Sequence, residues 1–151
     1  MRLSAKADYA LRASLELAAT GDGHVKAEAL ARSQDIPLRF LEQILLDLKH
    51  AGLVASQRGA DGGYWLAKAP DEISLADVIR AVDGPLANVR GVRSEQLEYR
   101  GSAEPLREVW VALRASVRNV LEHVTLEDVA SGRLPRVVET LTSRPDAWDP
   151  R

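Results

Sequence analysis

SQRGADGGYWLAK, residues 56–68, sets three glycines and an Asp-Gly pair between two short apolar runs. Gly59, Gly62 and Gly63 with Asp61 suit a tight turn that needs positive φ. The flanking pieces LVASQ and GYWLA, residues 53–57 and 63–67, then read as the two strands of a hairpin. Arg58 stands at its shoulder, with Asp61 the one nearby acid. Such a segment can be a plain solvated hairpin or an arm that reaches a partner, and its neighbours decide between the two.

Upstream lies DIPLRFLEQILLDLKHAG, residues 35–52. Pro37 fits the first turn of a helix, Asp35 is a candidate cap, Leu41, Ile44, Leu45 and Leu48 form one apolar stripe, and Gly52 ends it. Before it, KAEALARSQ reads as a short helix with Ala27, Leu30 and Ala31 inward, preceded by a possible short strand at Val25. The chain begins with a helix over residues 4–19, capped by Ser4, with Ala13 and Leu17 on its apolar face. Helix, helix, helix, hairpin is the order of a winged helix-turn-helix, and it makes the third helix the candidate reader of a DNA groove. The expected fold is therefore mainly α with a small β-hairpin: a winged helix-turn-helix domain over 1–70, followed by a long dimerisation helix.

The second half is organised differently. ISLADVIRAVDG, residues 73–84, is a connecting helix (71–84 in all) with Ser74 three residues before Asp77, a capping-box spacing, and Ile73 and Val78 as a hydrophobic staple. Residues 85–104 show no periodicity and read as a long loop, the place for an effector or sensor. Arg90, Arg93, Tyr99 and Arg100 in it could hold a small anion through charge-assisted hydrogen bonds, or simply be solvated. A long helix follows from Pro105 to about Val124. Leu106, Trp110, Leu113, Val117, Val120 and Val124 repeat every 3.5 residues on average, the seam of a coiled coil between two copies or a face folded onto the chain's own core. Thr125 and Asp128 open a short helix that Gly132 ends, which completes a 105–132 dimerisation unit. Residues 133–151 form a proline-containing tail in which Val137, Val138 and Leu141 could pack.

Composition limits the chemistry. The 151 residues contain no cysteine, which removes disulfides, thiolate metal sites and cysteine-ligated clusters; the three histidines are dispersed, and neither a metal site nor any cofactor is expected. No nucleophile–base pair or phosphate loop stands out, so no enzyme is expected. Net charge is −2, but Lys and Arg outnumber Asp and Glu nine to eight in residues 1–70 and trail eleven to fourteen beyond. DNA binding must then rest on local placement of charge rather than on a basic chain. No apolar run is long enough to span a bilayer and no secretory leader is visible, so a cytoplasmic location without membrane contact is expected.

RLSAKADYALRASLELA, then PLRFLEQILLDLKHAGLVASQRGADGGYWLAK, then ISLADVIRAVDG, together resemble the Rrf-two family of bacterial winged helix-turn-helix transcription regulators, from residue 2 to about 84. The resemblance implies a homodimeric repressor on a pseudo-palindromic operator in double-stranded DNA. It implies Ser4, Lys6 and Tyr9 at phosphates; Leu38, Arg39, Phe40, Glu42 and Gln43 toward the major groove; and Arg58 with Gly59 at the minor groove, Gly63 completing the wing's contact set. Cluster-binding members carry three cysteines where residues 85–104 have none, so the likeness points to the cluster-free, cysteine-metabolism branch, whose signal comes from an enzyme of cysteine synthesis. The competing reading is a dimeric interaction module that acts through such an enzyme without DNA.

Overall fold

The centre of the molecule is a helix made of small residues. The computed structural model describes residues 2–150, and in it α1 (Ala5–Thr20) packs against α2 (Ala27–Gln34), α3 (Leu38–His50), α4 (Leu75–Asp83) and the second hairpin strand. Ala7, Ala10, Ala13 and Leu17 are buried along α1, and three alanines in that stripe allow neighbouring helices to approach closely. Ser4 caps α1, its hydroxyl accepting the Ala7 N–H at 2.9 Å.

The next elements follow the expected order: α2 (Ala27–Gln34), α3 (Leu38–His50), β1 (Val54–Gln57) and β2 (Gly63–Leu66). Leu41, Ile44, Leu45 and Leu48 of α3 are wholly buried, and each such side chain contributes about 1.5–3 kcal/mol relative to exposure. The strands pair antiparallel from Val54↔Leu66 to Gln57↔Gly63. Val25 forms a single antiparallel bridge to Tyr64 rather than a strand.

Asp35 does not cap α3. It takes the left-handed conformation (φ 51°) just after α2, and α3 starts behind Pro37 without a side-chain cap. The buried Ile36, whose N–H donates to the Ala31 carbonyl at 2.9 Å, fixes this short turn between the two helices. Aspartate is among the few residues that tolerate this backbone region.

Two further helices close onto the same core. α4 (Leu75–Asp83) and α6 (Leu126–Ser131) begin side by side, each with a capping box: Ser74 with Asp77 and Thr125 with Asp128. Between them the Leu75 N–H donates to the Val124 carbonyl and the Leu126 N–H to the Ile73 carbonyl, both at 2.9 Å. Ile73, Val78 and Leu126 are fully buried in the core that holds α3. The chain between these helices therefore departs from the winged domain and returns to the same point.

Residues 85–104 are more ordered than their lack of periodicity suggests. Leu86, Ser94 and Leu97 are buried, two short 3-10 turns form at Ser94–Gln96 and Gly101–Ala103, and Val89 pairs with Val92. Tertiary burial holds this segment, so no local repeat could have marked it. α5 then runs over Leu106–Leu121 without a single buried residue. Finally α7 (Arg136–Thr142) packs on α5, half-burying Val137, Val138 and Leu141. No helix among the described residues is long and apolar enough to cross a membrane.

Candidate nucleic-acid interface

The third helix buries one face and offers the other. Arg39, Phe40, Glu42, Gln43 and Leu46 are exposed on α3 opposite its leucine stripe, whereas Leu38 is half-buried against the core. Phe40 is held edge-on to Tyr9 of α1, with ring centroids 5.9 Å apart, and the Arg12 guanidinium lies over that tyrosine's ring at 4.9 Å. Arg12 also donates to the Gln34 carbonyl at 2.7 Å, which ties α1 to the turn before α3. Tyr9 and Arg12 thus brace the start of the candidate reading helix.

The hairpin stands beside the exposed face of α3. A groove runs between them, lined by Glu42, Leu46 and Lys49 from the helix and by Ser56, Gln57 and Arg58 from the hairpin. Lys49 donates to the Ser56 hydroxyl at 2.8 Å across its floor. Lys26, ahead of α2, donates to the Gly59 carbonyl, and the His24 ring stacks on Trp65 at 4.1 Å while its Nδ1 lies 3.0 Å from the Asp61 carbonyl. Lys26, Lys49 and His24 were not among the residues expected from the sequence. Their contacts cross 33, 7 and 37 positions respectively, so spacing carried no sign of them.

The glycine pair divides its work with Arg58. Gly59 is exposed with φ 106° and open space around it, and Arg58 is exposed without an ion pair among the described residues. Gly63 is different: it is buried, with φ 141°, and a Cβ there would lie 2.8 Å from the Val25 carbonyl oxygen. A Cβ at Gly62 would come within 2.1 Å of the Gln57 carbonyl oxygen. The structure places Gly63 inside the seat of the hairpin rather than on its outer edge.

The expected phosphate contacts Ser4, Lys6 and Tyr9 are engaged within the protein. Ser4, besides capping the helix, donates its hydroxyl proton to Asp83 of α4. Lys6 makes a 2.6 Å ion pair with Asp47 of α3, and that ammonium holds the Asp47 carboxyl below its ordinary range, Gln43 adding to the effect. Tyr9 is half-buried under Phe40.

The 3.5-residue series does not form one seam. Leu106 and Leu113 are exposed, joined by Val109 at 53% and Val111. Trp110 is half-buried, its indole N–H donating to the Tyr99 hydroxyl at 2.9 Å. Val117 packs against the Ala7, Ile79 and Leu86 cluster, Val120 is half-buried, and Val124 lies beyond α5 at 3% exposure in the core. A regular repeat identifies residues on one face but not the neighbour that covers each part of it. Of the loop residues, Arg93 faces a pocket with arginines from α4 and α5, Tyr99 is tied to Trp110, and Arg90 and Arg100 are exposed.

Comparison with known proteins agrees with this geometry. Residues 3–132 match the model of the Rrf2 family, described as iron-dependent transcriptional regulators. A helix-turn-helix transcriptional regulator of Mycobacterium tuberculosis is 52% identical over 142 residues, spanning 93% of this chain and 88% of its own. CymR of Bacillus subtilis, also named a helix-turn-helix transcriptional regulator, is 40% identical over 132 residues, spanning 87% and 91%. The solved structure of that CymR, titled the global cysteine regulator of its organism, superposes with a TM-score of 0.74 at 38% identity, covering 87% of this chain and 98% of that one. T. potens IscR gives 0.71 at 33% identity, covering 87% and 88%. An iron centre does not fit the donors present: the chain lacks cysteine, and among the described residues no three His, Asp or Glu side chains gather where they could hold a metal.

Proposed function

Because this chain belongs to the Rrf2 family of winged helix-turn-helix transcription regulators, which are not enzymes, we propose that it is a homodimeric repressor that reads a pseudo-palindromic operator with α3 and the hairpin wing. The observation that carries the reading is the groove between the exposed face of α3 and Arg58 of the wing. A helix of this kind enters the major groove, and a free arginine beside it suits the narrower, electronegative minor groove. Arg39, Phe40, Glu42 and Gln43 are the base readers, with Leu38 at the edge of the core beneath them; Arg58 and Gly59 form the minor-groove contact. Glu42 accepts from cytosine N4, and Gln43 is shared between a base and the 3.3 Å hydrogen bond it donates to Asp47.

Dimerisation follows from α5. Leu106, Val109 and Leu113 form an exposed apolar row on a helix of which no residue is buried, and a second copy of that row covers it. Val117 and the half-buried Val120 face the same helix's own domain, and Val124 is buried just beyond its end. The likeness to a global cysteine regulator supports control of sulfur or cysteine genes as the pathway, with a cysteine-synthesis enzyme as a candidate partner.

The test is selection of binding sites from a random DNA library at two salt concentrations. A two-fold symmetric motif is expected, its half-sites separated by about one helical turn of roughly 10 bp. Arg58→Ala should weaken binding to the selected site about tenfold or more. Failure to enrich any motif at either salt would overturn the reading in favour of a DNA-independent interaction module.

A further inference from the structure

Four arginines from three separated parts of the chain converge beside α5. Arg80 near the end of α4, Arg93 in the 85–104 segment, and Arg114 and Arg118 one turn apart on α5 line a single pocket of about 350 Å³. That volume falls within the range of small-molecule sites, roughly 300–1,000 Å³. Leu86, 8% exposed, and Pro85 supply an apolar wall.

The local charge is not balanced. Glu95 pairs with Arg114, and one oxygen of Glu122 accepts from both Arg80 and Arg118. Arg93 makes no ion pair among the described residues. Two carboxylates therefore face four guanidinium groups, in a chain whose net charge is −2. The two glutamates also set the geometry: Glu122 holds Arg80 and Arg118, and Glu95 holds Arg114, in place before any ligand arrives, which lowers the ordering cost of binding.

We propose that this pocket binds a small organic dianion, its charged groups held by Arg80, Arg93, Arg114 and Arg118 and its carbon skeleton lying on Leu86 and Pro85. Planar guanidinium forks match carboxylate and phosphate oxygens two at a time, so a dicarboxylate and a phosphate monoester share the required chemistry. The ligand bridges α4, which packs on α1, and α5, which carries the apolar row. Resting on the dimeric DNA-binding reading above, its occupancy sets the angle between the winged domain and the dimerisation helix.

Isothermal titration of the full chain without DNA, at constant ionic strength, tests the site with succinate, glycerol phosphate, inorganic phosphate and chloride. Saturable binding of succinate or glycerol phosphate at one molecule per chain is expected, and which of the two binds tighter identifies the source of the charge. Arg93→Gln, which breaks no ion pair, should weaken it about tenfold at an unchanged melting temperature. Arg133→Gln, exposed and outside the pocket, should bind as the unaltered chain does. No binding above chloride, binding by inorganic phosphate alone, or unchanged affinity in Arg93→Gln would overturn the proposal. Since no DNA is present, this outcome is independent of whether an operator is ever selected. Operator affinity measured with and without the bound anion then tests the coupling: an unchanged value would overturn it.

Discussion

Replacing Gly63 with alanine separates a residue that seats the wing from one that touches DNA. The added Cβ would meet the Val25 carbonyl oxygen at 2.8 Å and its carbon at 2.9 Å, both backbone atoms that cannot rotate aside. Relief requires the hairpin to move from Val25, and that breaks the reciprocal pair in which Val25 N–H donates to Tyr64 at 2.9 Å and Tyr64 N–H to Val25 at 2.8 Å. Each such bond contributes about 0.5–1.5 kcal/mol. Holding alanine at φ 141° adds about 1–3 kcal/mol of backbone strain. The sum is a loss of about 2–6 kcal/mol, taken in its lower half, about 2–4 kcal/mol, because Val25 is only half-buried and water can reach the freed groups. At about 2–4 °C per kcal/mol for a chain of this size, the melting temperature should fall by roughly 4–16 °C. Circular dichroism with heating measures it, alongside operator binding at a temperature where the variant is still folded. An unchanged melting temperature with weakened DNA binding would refute the seating argument and return Gly63 to the DNA contact set.

Leu126→Ala should cost about 2–5 kcal/mol in urea unfolding, because the fully buried side chain leaves a cavity in a close-packed core. Leu113→Asp should instead leave the melting temperature of the single chain nearly unchanged, while sedimentation shows loss of the dimer and operator affinity falls. Glu122, held at about 2 first by Arg118 and then by Arg80 against an ordinary 4.5, has a depressed folded-state pKa; its contribution to stability is present above pH 4.5 and is lost as pH falls toward 2. Glu122→Gln should therefore flatten the acid limb of the stability–pH curve in that window, with Asp47 accounting for part of the slope that remains.

What the sequence made readable was whatever local physics decides. The leucine stripe of α3, the Ser74 and Thr125 capping signals and the turn in residues 56–68 each follow from periodicity or from a side chain meeting its own backbone. Asp35 misled because the residue type that caps a following helix also accepts the left-handed backbone that ends the preceding one. The α5 series misled in another way: Leu106 and Val124 fit one repeat, yet the first is open and the second is buried against α4 and α6. The candidate interface was half legible. Arg39, Glu42 and Arg58 are exposed, as the helix and turn patterns imply, while the ion pair of Lys6 with Asp47 and the hold of Lys26 on Gly59 depend on contacts between distant positions. The arginine pocket was invisible for the same reason, its members lying at 80, 93, 114 and 118.

The paired helix starts at Ser74 and Thr125 have a consequence for how such a chain can change. The chain between α4 and α6, residues 84 to 123, leaves the core and rejoins it beside two backbone hydrogen bonds of 2.9 Å, with α6 sealing the core behind them. Those bonds involve only main-chain atoms, so the demand on the side chains in between is limited to those that pack back on Ala7 and Ile79, namely Leu86, Val117 and Leu121. On the function proposed here, the segment is an exchangeable cassette: its pocket and its exposed row can be rewritten for another signal or another mate while the winged domain keeps its closure. Grafting residues 85–121 of a relative between these two anchor points should thus transfer the response without retraining the recognition helix.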